Sequence, residues 1–229
     1  MISRLHLARV YYFSGGHTDD VQPLLLLPGR SASTPMWEPN LAGLMKTKPV
    51  YTIDLIGEPG MSTQTKSITS SEDQAKWLDE VIQQLPEKKI HLVGVSIGGW
   101  TATNYAFRYQ EKLASLTVLD PVFTFDGIPI PTILISIPAS IPVIPTPIRN
   151  WMLSYFSGGA EIKKDNPIAD LIETGMHTFK VNSPAPTQIT SDQLKKIDVP
   201  VLALMAGKSV MNNPEKAVEN PKRDLKNGK

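Results

Sequence analysis

The sequence contains no cysteine, which excludes disulfides, thiolate metal sites and a cysteine nucleophile. It also lacks an excess of either charge. With 23 basic and 22 acidic residues the formal net charge is +1, so there is no sequence-wide basic field to hold a phosphate backbone, and nucleic acid is not an expected partner. Neither G-x-G-x-x-G nor G-x-x-x-x-G-K-[ST] occurs, which removes the usual phosphate loops. The first residues, Met1 to Phe13, intersperse Arg4, His6 and Arg9 with apolar side chains and lack the continuous apolar core of a signal peptide, so a cytoplasmic location is expected. From Ile128 to Ile148 no residue is charged, a stretch long enough to raise the question of a membrane span. Pro129, Pro131, Pro138, Pro142, Pro145 and Pro147 would break such a helix repeatedly, so an apolar lid is expected instead of a stable membrane span.

At 229 residues the chain can bury a sizeable core, and one domain carrying a large insertion is the natural organisation. Short apolar runs closed by turn residues recur along it. Arg9–Phe13, followed by Gly15-Gly16, reads as an edge strand, and Leu24–Leu27, closed by Pro28-Gly29, as a strand buried on both faces. The segments 49–54, 90–95, 116–120 and 199–205 repeat that form. Helical patterns lie between them. In Ser71–Leu85 the apolar positions Ala75, Leu78, Val81, Ile82 and Leu85 recur every three or four residues, with Ser71 and Gln74 as a candidate capping box. Ile97–Tyr109 keeps Gly98, Gly99 and Ala102 small, suited to close packing on a sheet. Strands alternating with helices imply an α/β fold with a doubly wound, mostly parallel sheet. Between Asp120 and about Lys195 the alternation fails, giving a Pro-rich apolar stretch, the segment 151–156, a Gly158-Gly159 break and a helix near Ile168–Phe179. Residues 1–120 and 196–229 are therefore assigned to the core and residues 121–195 to an inserted cap.

The chemistry-bearing motif is Gly94-Val95-Ser96-Ile97-Gly98. Glycines on either side of a serine are weak evidence alone, but here the serine ends an apolar strand and begins a helix, the setting of a nucleophile elbow. The glycines permit a sharp turn, and the helix N-terminus turns backbone N–H groups toward developing negative charge. The alternative is the Gly-rich strand-to-helix turn of a nucleotide-binding fold.

Together these segments resemble the α/β-hydrolase superfamily, and within it the capped bacterial carboxylesterase-like members, from about Val10 to the end. Leu26-Leu27-Pro28-Gly29-Arg30 with Met36-Trp37 resembles the family's loop after the third strand, with Pro28 where His is usual. Asp54-Leu55-Ile56-Gly57-Glu58-Pro59-Gly60-Met61-Ser62 resembles its D-x-x-G-x-G-x-S loop with Pro59 inserted, and Val199-Pro200-Val201-Leu202 its strand after the cap. The resemblance implies that Ser96 is the nucleophile and that the backbone N–H groups of Ile97 and Arg30 form the oxyanion hole. It places the triad acid in a loop that here reads Gly207-Lys208-Ser209-Val210 and holds no carboxylate. Asp120, which some family members use instead, is the expected acid; its other reading is that Asp120 with Pro121 closes a strand.

The base is expected last in chain order, after the final strand, and the segment Asp224–Lys229 resembles the helix and turn before it. The last strand, the histidine loop and the closing helix are thus expected to be missing, leaving an open sheet edge through which copies could associate. His6 precedes the first strand, His17 follows a glycine turn, and His91 stands five residues before Ser96, about 16 Å along a strand. His177 falls in the cap helix. The expected function is hydrolysis of small apolar carboxylic esters, impaired by the absent histidine and needing no metal or organic cofactor. The alternatives are a non-catalytic ligand-binding protein on the same fold, or a relative of cofactor-free haloperoxidases and carbon–carbon bond hydrolases.

Overall fold

The computed structural model describes residues 6–15, 21–139, 145, 148, 151, 154–155, 158–159 and 166–228. His17, Met152, Leu153 and Phe156, and much of the proline-rich stretch beyond residue 139, lie outside them. The strands are β1 (His6–Leu7), β2 (Val10–Phe13), β3 (Leu24–Leu27), β4 (Val50–Ile53), β5 (Thr63–Gln64), β6 (Ile90–Val95), β7 (Leu113–Leu119) and β8 (Val201–Leu204). The helices are α1 (Glu38–Leu44), α2 (Ser71–Gln83), α3 (Ile97–Ala106), α4 (Ile130–Ala139), α5 (Pro167–Thr178), α6 (Ser191–Leu194) and α7 (Pro214–Asp224).

Six strands form the main sheet in the order β2-β4-β3-β6-β7-β8. Only β2, at the edge, runs antiparallel to its neighbour; the pairs β3–β4, β3–β6, β6–β7 and β7–β8 are parallel. This is the expected doubly wound, mostly parallel sheet. Alternation along β3 explains why its run of four leucines is apolar on both sides. Leu25 and Leu27 join the large core with Trp77 and Leu78 of α2 and Trp100 and Tyr105 of α3, while Leu24 and Leu26 face Trp37 and the residues of α1.

The helix after Ser96 is buried along its whole length, as a helix wedged between a sheet and a second helix must be. Its polar side chains are satisfied internally. Thr101 and Thr103 donate to the carbonyls of Ile97 and Gly99 at 2.8 and 2.9 Å, and the Asn104 amide donates to the Ser71 carbonyl of α2 at 2.7 Å. The capping box of α2 is displaced by one residue from the expected pair. Ser70 is the N-cap, accepting from the Asp73 N–H at 3.0 Å, and the Asp73 carboxylate accepts from the Ser70 N–H at 3.1 Å. With Ser70 and Ser71 adjacent, the sequence offered two registers, and the acidic residue at the third helical position selects Ser70.

Two further expectations are corrected. His6 does not precede the first strand but lies in β1, which pairs antiparallel with β5 in a separate two-stranded sheet. The strand ending at Leu119 begins at Leu113, three residues earlier than the apolar run alone implied. Beyond β8 the main-chain pairing is confined, among the described residues, to Val201 with the segment at Asn227–Gly228, and Leu202 and Leu204 remain exposed. No helix among the described residues is long and apolar enough to cross a membrane.

Candidate active site

Ser96 closes β6 and opens α3. Its backbone holds φ 53° and ψ −119°, a conformation that a side chain crowds, and its hydroxyl makes no capping bond to the helix behind it. Its N–H donates to the Leu119 carbonyl at 2.9 Å, and its carbonyl accepts from the Trp100 N–H at 3.1 Å, so the strained residue is fixed on both sides.

The flanking glycines are required by contact. A Cβ on Gly94 would lie 2.3 Å from the Gly98 carbonyl oxygen, and one on Gly98 would lie 2.4 Å from that of Pro28 and 2.5 Å from that of Leu27. The start of α3 therefore rests directly on the backbone that leaves β3, and that loop reaches the serine: a Cβ on Gly29 would be 3.9 Å from the Cβ of Ser96. Ile97 is buried at the first turn of α3 and Arg30 follows Gly29, so both expected oxyanion donors stand on segments that border Ser96.

The loop that carries Arg30 is held by two carboxylates from the segment after β4. Asp54 is buried; its Oδ1 accepts from the Thr34 N–H at 2.8 Å and its Oδ2 from the Met61 N–H at 2.9 Å. Gly60, at φ 139°, is forced by the same carboxylate, since a Cβ there would meet the Asp54 side chain at 2.6 Å. Glu58 is buried as well. It forms a short ion pair with the guanidinium of Arg30, and its Oε2 accepts from the Ser31 N–H at 3.1 Å. Burial pushes the Glu58 carboxyl above its ordinary value, more than the charge of Arg30 and the Ser31 N–H pull it down. The Arg30 side chain is thus more than a solvated loop arginine: it is partly exposed and anchored to a buried partner.

Asp120 follows the last residue of β7, next to the strand that carries Ser96. It holds φ 43°, and its N–H donates to the Leu204 carbonyl at 2.8 Å. Its carboxylate accepts from the Ser209 hydroxyl at 2.7 Å and from the Asn212 amide at 3.2 Å. The loop after β8, where the sequence shows no acid, therefore reaches Asp120 through Ser209 instead. Asn212 is buried, and its Oδ1 has no partner. Glu58, Ser209 and Asn212 were not singled out from the sequence; the only available signal for Ser209 was that it lies in the loop where the resemblance placed a carboxylate.

The described histidines are engaged elsewhere. His6 Nδ1 accepts from the Thr65 N–H at 3.3 Å, and burial lowers its pKa. His91 sits between Lys48 Nζ at 3.2 Å and Ser115 Oγ at 2.7 Å near the start of β6, with burial and then Lys48 lowering its pKa. His177 lies 3.6 Å from the Glu173 carboxylate one turn back on α5.

A strand, a strained serine and a buried helix, set beside a glycine loop on a mostly parallel sheet, define an α/β protein with a tight strand-to-helix turn at Ser96. The model of the family described as the alpha/beta hydrolase fold matches residues 22–172, and the chain belongs to that family. Among curated proteins it is similar to the uncharacterized carboxylesterase nap of Bacillus subtilis, with 35% identity over 107 residues, covering 47% of this chain and 36% of that protein. It is 31% identical over 106 residues to carboxylesterase YbfK of the same organism, covering 46% of this chain and 36% of that protein. The chain spans about a third of the length of these relatives. Among solved structures, naproxen esterase of Bacillus subtilis superposes with a TM-score of 0.82 at 23% identity, over 99% of this chain and 79% of that one. At that identity the likeness speaks for the fold.

Proposed function

We propose that this chain carries the nucleophile and oxyanion machinery of a carboxylesterase-like serine hydrolase. The observation that carries the reading is Ser96, held in a strained conformation at the end of the central strand β6 with the Gly29 loop against its Cβ. In this mechanism the Ser96 Oγ bonds to the acyl carbon of an ester while its proton passes to a base. The Ile97 and Arg30 N–H groups hold the resulting oxyanion; loss of one such donor typically lowers the rate by on the order of a hundredfold or more. Collapse of the tetrahedral intermediate breaks the bond to the alcohol oxygen, which leaves with the base's proton, and water then releases the acid from the acyl-serine. Asp120 acts as the acid that orients a histidine. Turnover by this chain is expected to be slow, because the histidines among the described residues, His6, His91 and His177, each meet partners elsewhere. Residues 121–195, with the apolar α4, act as the cap that selects a small apolar ester.

The names of the relatives nap and YbfK support the esterase reading. It is tested by labelling the purified chain with a fluorophosphonate probe. Adduct mass on the peptide containing Ser96, absent in Ser96→Ala, is the expected result; a well-folded chain that resists labelling even at long exposure overturns it. The second reading is a non-catalytic ligand-binding protein, favoured by the closure of Asp120 with Ser209 and Asn212. Equal binding of an apolar ester by the wild type and Ser96→Ala, without hydrolysis, would support it.

A further inference from the structure

We infer that Glu58 is a positioning residue for the oxyanion loop, setting the Arg30–Ser31 peptide through its acceptor bond to the Ser31 N–H and locking that loop against the inserted helix α5. The inference rests on the proposed role of the Arg30 N–H.

Three segments distant in sequence meet at this carboxylate. The first is the loop after β3, where Ser31 adopts φ 58°, a left-handed conformation that a serine keeps only when its surroundings hold it there. Glu58 supplies that hold twice, through the Ser31 N–H at 3.1 Å and through the Arg30 guanidinium, so the two residues on either side of one peptide share a single buried anchor. The second is the loop after β4, which fixes Glu58 itself. The Glu58 N–H donates to the Leu55 carbonyl at 3.2 Å, and Asp54 in the same loop ties down Thr34, three residues beyond Ser31.

The third segment is the insertion. A Cβ on Gly175 of α5 would lie 2.1 Å from the Ser31 carbonyl oxygen and 3.1 Å from Pro59, so α5 presses on the same residue from the other side. Asn182, just after α5, donates its N–H to the Gly57 carbonyl at 2.9 Å, one residue before Glu58. Ser31 is therefore held at its N–H by Glu58 and covered at its carbonyl by α5. A residue that only filled space would not need a carboxylate, whose burial is unfavourable unless hydrogen bonds offset it.

The test compares the wild type with Glu58→Ala and Glu58→Gln by two measurements. Glutamine keeps an oxygen for the Ser31 N–H and gives up the charge; alanine removes both. Amide hydrogen exchange at Ser31 is expected to accelerate at least tenfold in Glu58→Ala and to stay within about threefold of the wild type in Glu58→Gln, with the β6 and β7 amides unchanged. The rate of fluorophosphonate labelling at Ser96 is expected to fall tenfold or more in Glu58→Ala, toward the loss seen when one oxyanion donor is removed, and to recover largely in Glu58→Gln. Unchanged Ser31 exchange in Glu58→Ala would overturn the inference. So would a loss of Ser31 protection in both variants accompanied by faster exchange throughout the sheet, which marks Glu58 as a fold-stabilising charge only. If the wild type fails to label, the nucleophile reading falls, while the exchange pattern still decides what Glu58 holds.

Discussion

Replacing Ser96 by glycine should make the protein more stable than replacing it by alanine. Ser96 sits at φ 53°, ψ −119°, where the Cβ is crowded by the backbone and glycine alone is comfortable. A non-glycine residue in such a region carries strain on the order of 1–3 kcal/mol. Ser96→Ala deletes the hydroxyl, which makes no capping bond, but keeps the Cβ and the strain. Ser96→Gly removes the Cβ. Glycine's larger conformational freedom in the unfolded chain takes back about 0.5–1 kcal/mol, so the glycine variant is expected to exceed the alanine variant by roughly 1 kcal/mol. For a chain of this size that is a rise in Tm of about 2–4 °C. Both variants lack the Ser96 hydroxyl, so thermal or urea unfolding followed by circular dichroism reads the backbone alone. A glycine variant that melts with or below the alanine variant would refute the argument that the elbow stores strain.

Four further outcomes follow from the same geometry. Gly98→Ala places a methyl group 2.4 Å from the Pro28 oxygen and 2.5 Å from the Leu27 oxygen, backbone atoms that cannot turn aside; a loss of about 3 kcal/mol or more is expected in urea unfolding, beyond alanine's helix advantage of about 1 kcal/mol. Trp100→Phe removes the 2.8 Å bond from the indole N–H to the Thr187 carbonyl; it should lower stability by about 1–3 kcal/mol and speed amide exchange near Ile189. Glu58 has a folded-state pKa raised above its ordinary 4.5. Its contribution relative to Glu58→Gln is therefore greatest below that value and is lost as pH rises through the folded pKa, so the wild type should lose Tm relative to the glutamine variant as pH rises from about 4.5 through the folded value. Asp73 shows the opposite dependence: the Ser70 and Thr69 bonds hold its carboxyl below 3.8. The cost of Asp73→Asn, about 0.5–1 kcal/mol near neutrality at this exposed cap, should fade as pH drops through the folded pKa.

The strands that carry the candidate site were legible because burial on both faces turns them into continuous apolar runs, as in Leu24–Leu27 and Ile90–Val95. Ser96 was legible because glycine, strand end and helix start coincide within five residues. Where the sequence offered equivalent choices, as with Ser70 and Ser71 at the start of α2, the register was not decided by pattern but by which carboxylate could reach back. Glu58 and Asn212 left no pattern, and Ser209 only its place in the loop after β8. Each acts on a residue far along the chain, Glu58 on Ser31 and both Ser209 and Asn212 on Asp120, and a single polar residue in a loop has no periodicity from which such a partner can be read. The separate ladder of β1 with β5 was hidden for a related reason: two-residue strands are too short to show alternation.

The pairing of β6 with β7 has a consequence for how such a protein can be altered. Val95 and Leu119 are cross-strand partners, and the Ser96 N–H is bonded to the Leu119 carbonyl, so Ser96 and Asp120 ride on neighbouring rails whose spacing of about 4.8 Å is set by the sheet ladder. The stretch from Pro121 to the start of β8 hangs from a different part of the chain. It can therefore be exchanged as a block, by grafting another insertion between β7 and β8, while Ser96 and Asp120 keep their spacing. Such a graft would have to respect the contacts this stretch makes with the rest of the fold, among them the Asn182 N–H on the Gly57 carbonyl and the Thr187 carbonyl on the Trp100 indole. At the place of Gly175 it must again offer bare backbone, because the Ser31 carbonyl leaves no room there for a side chain.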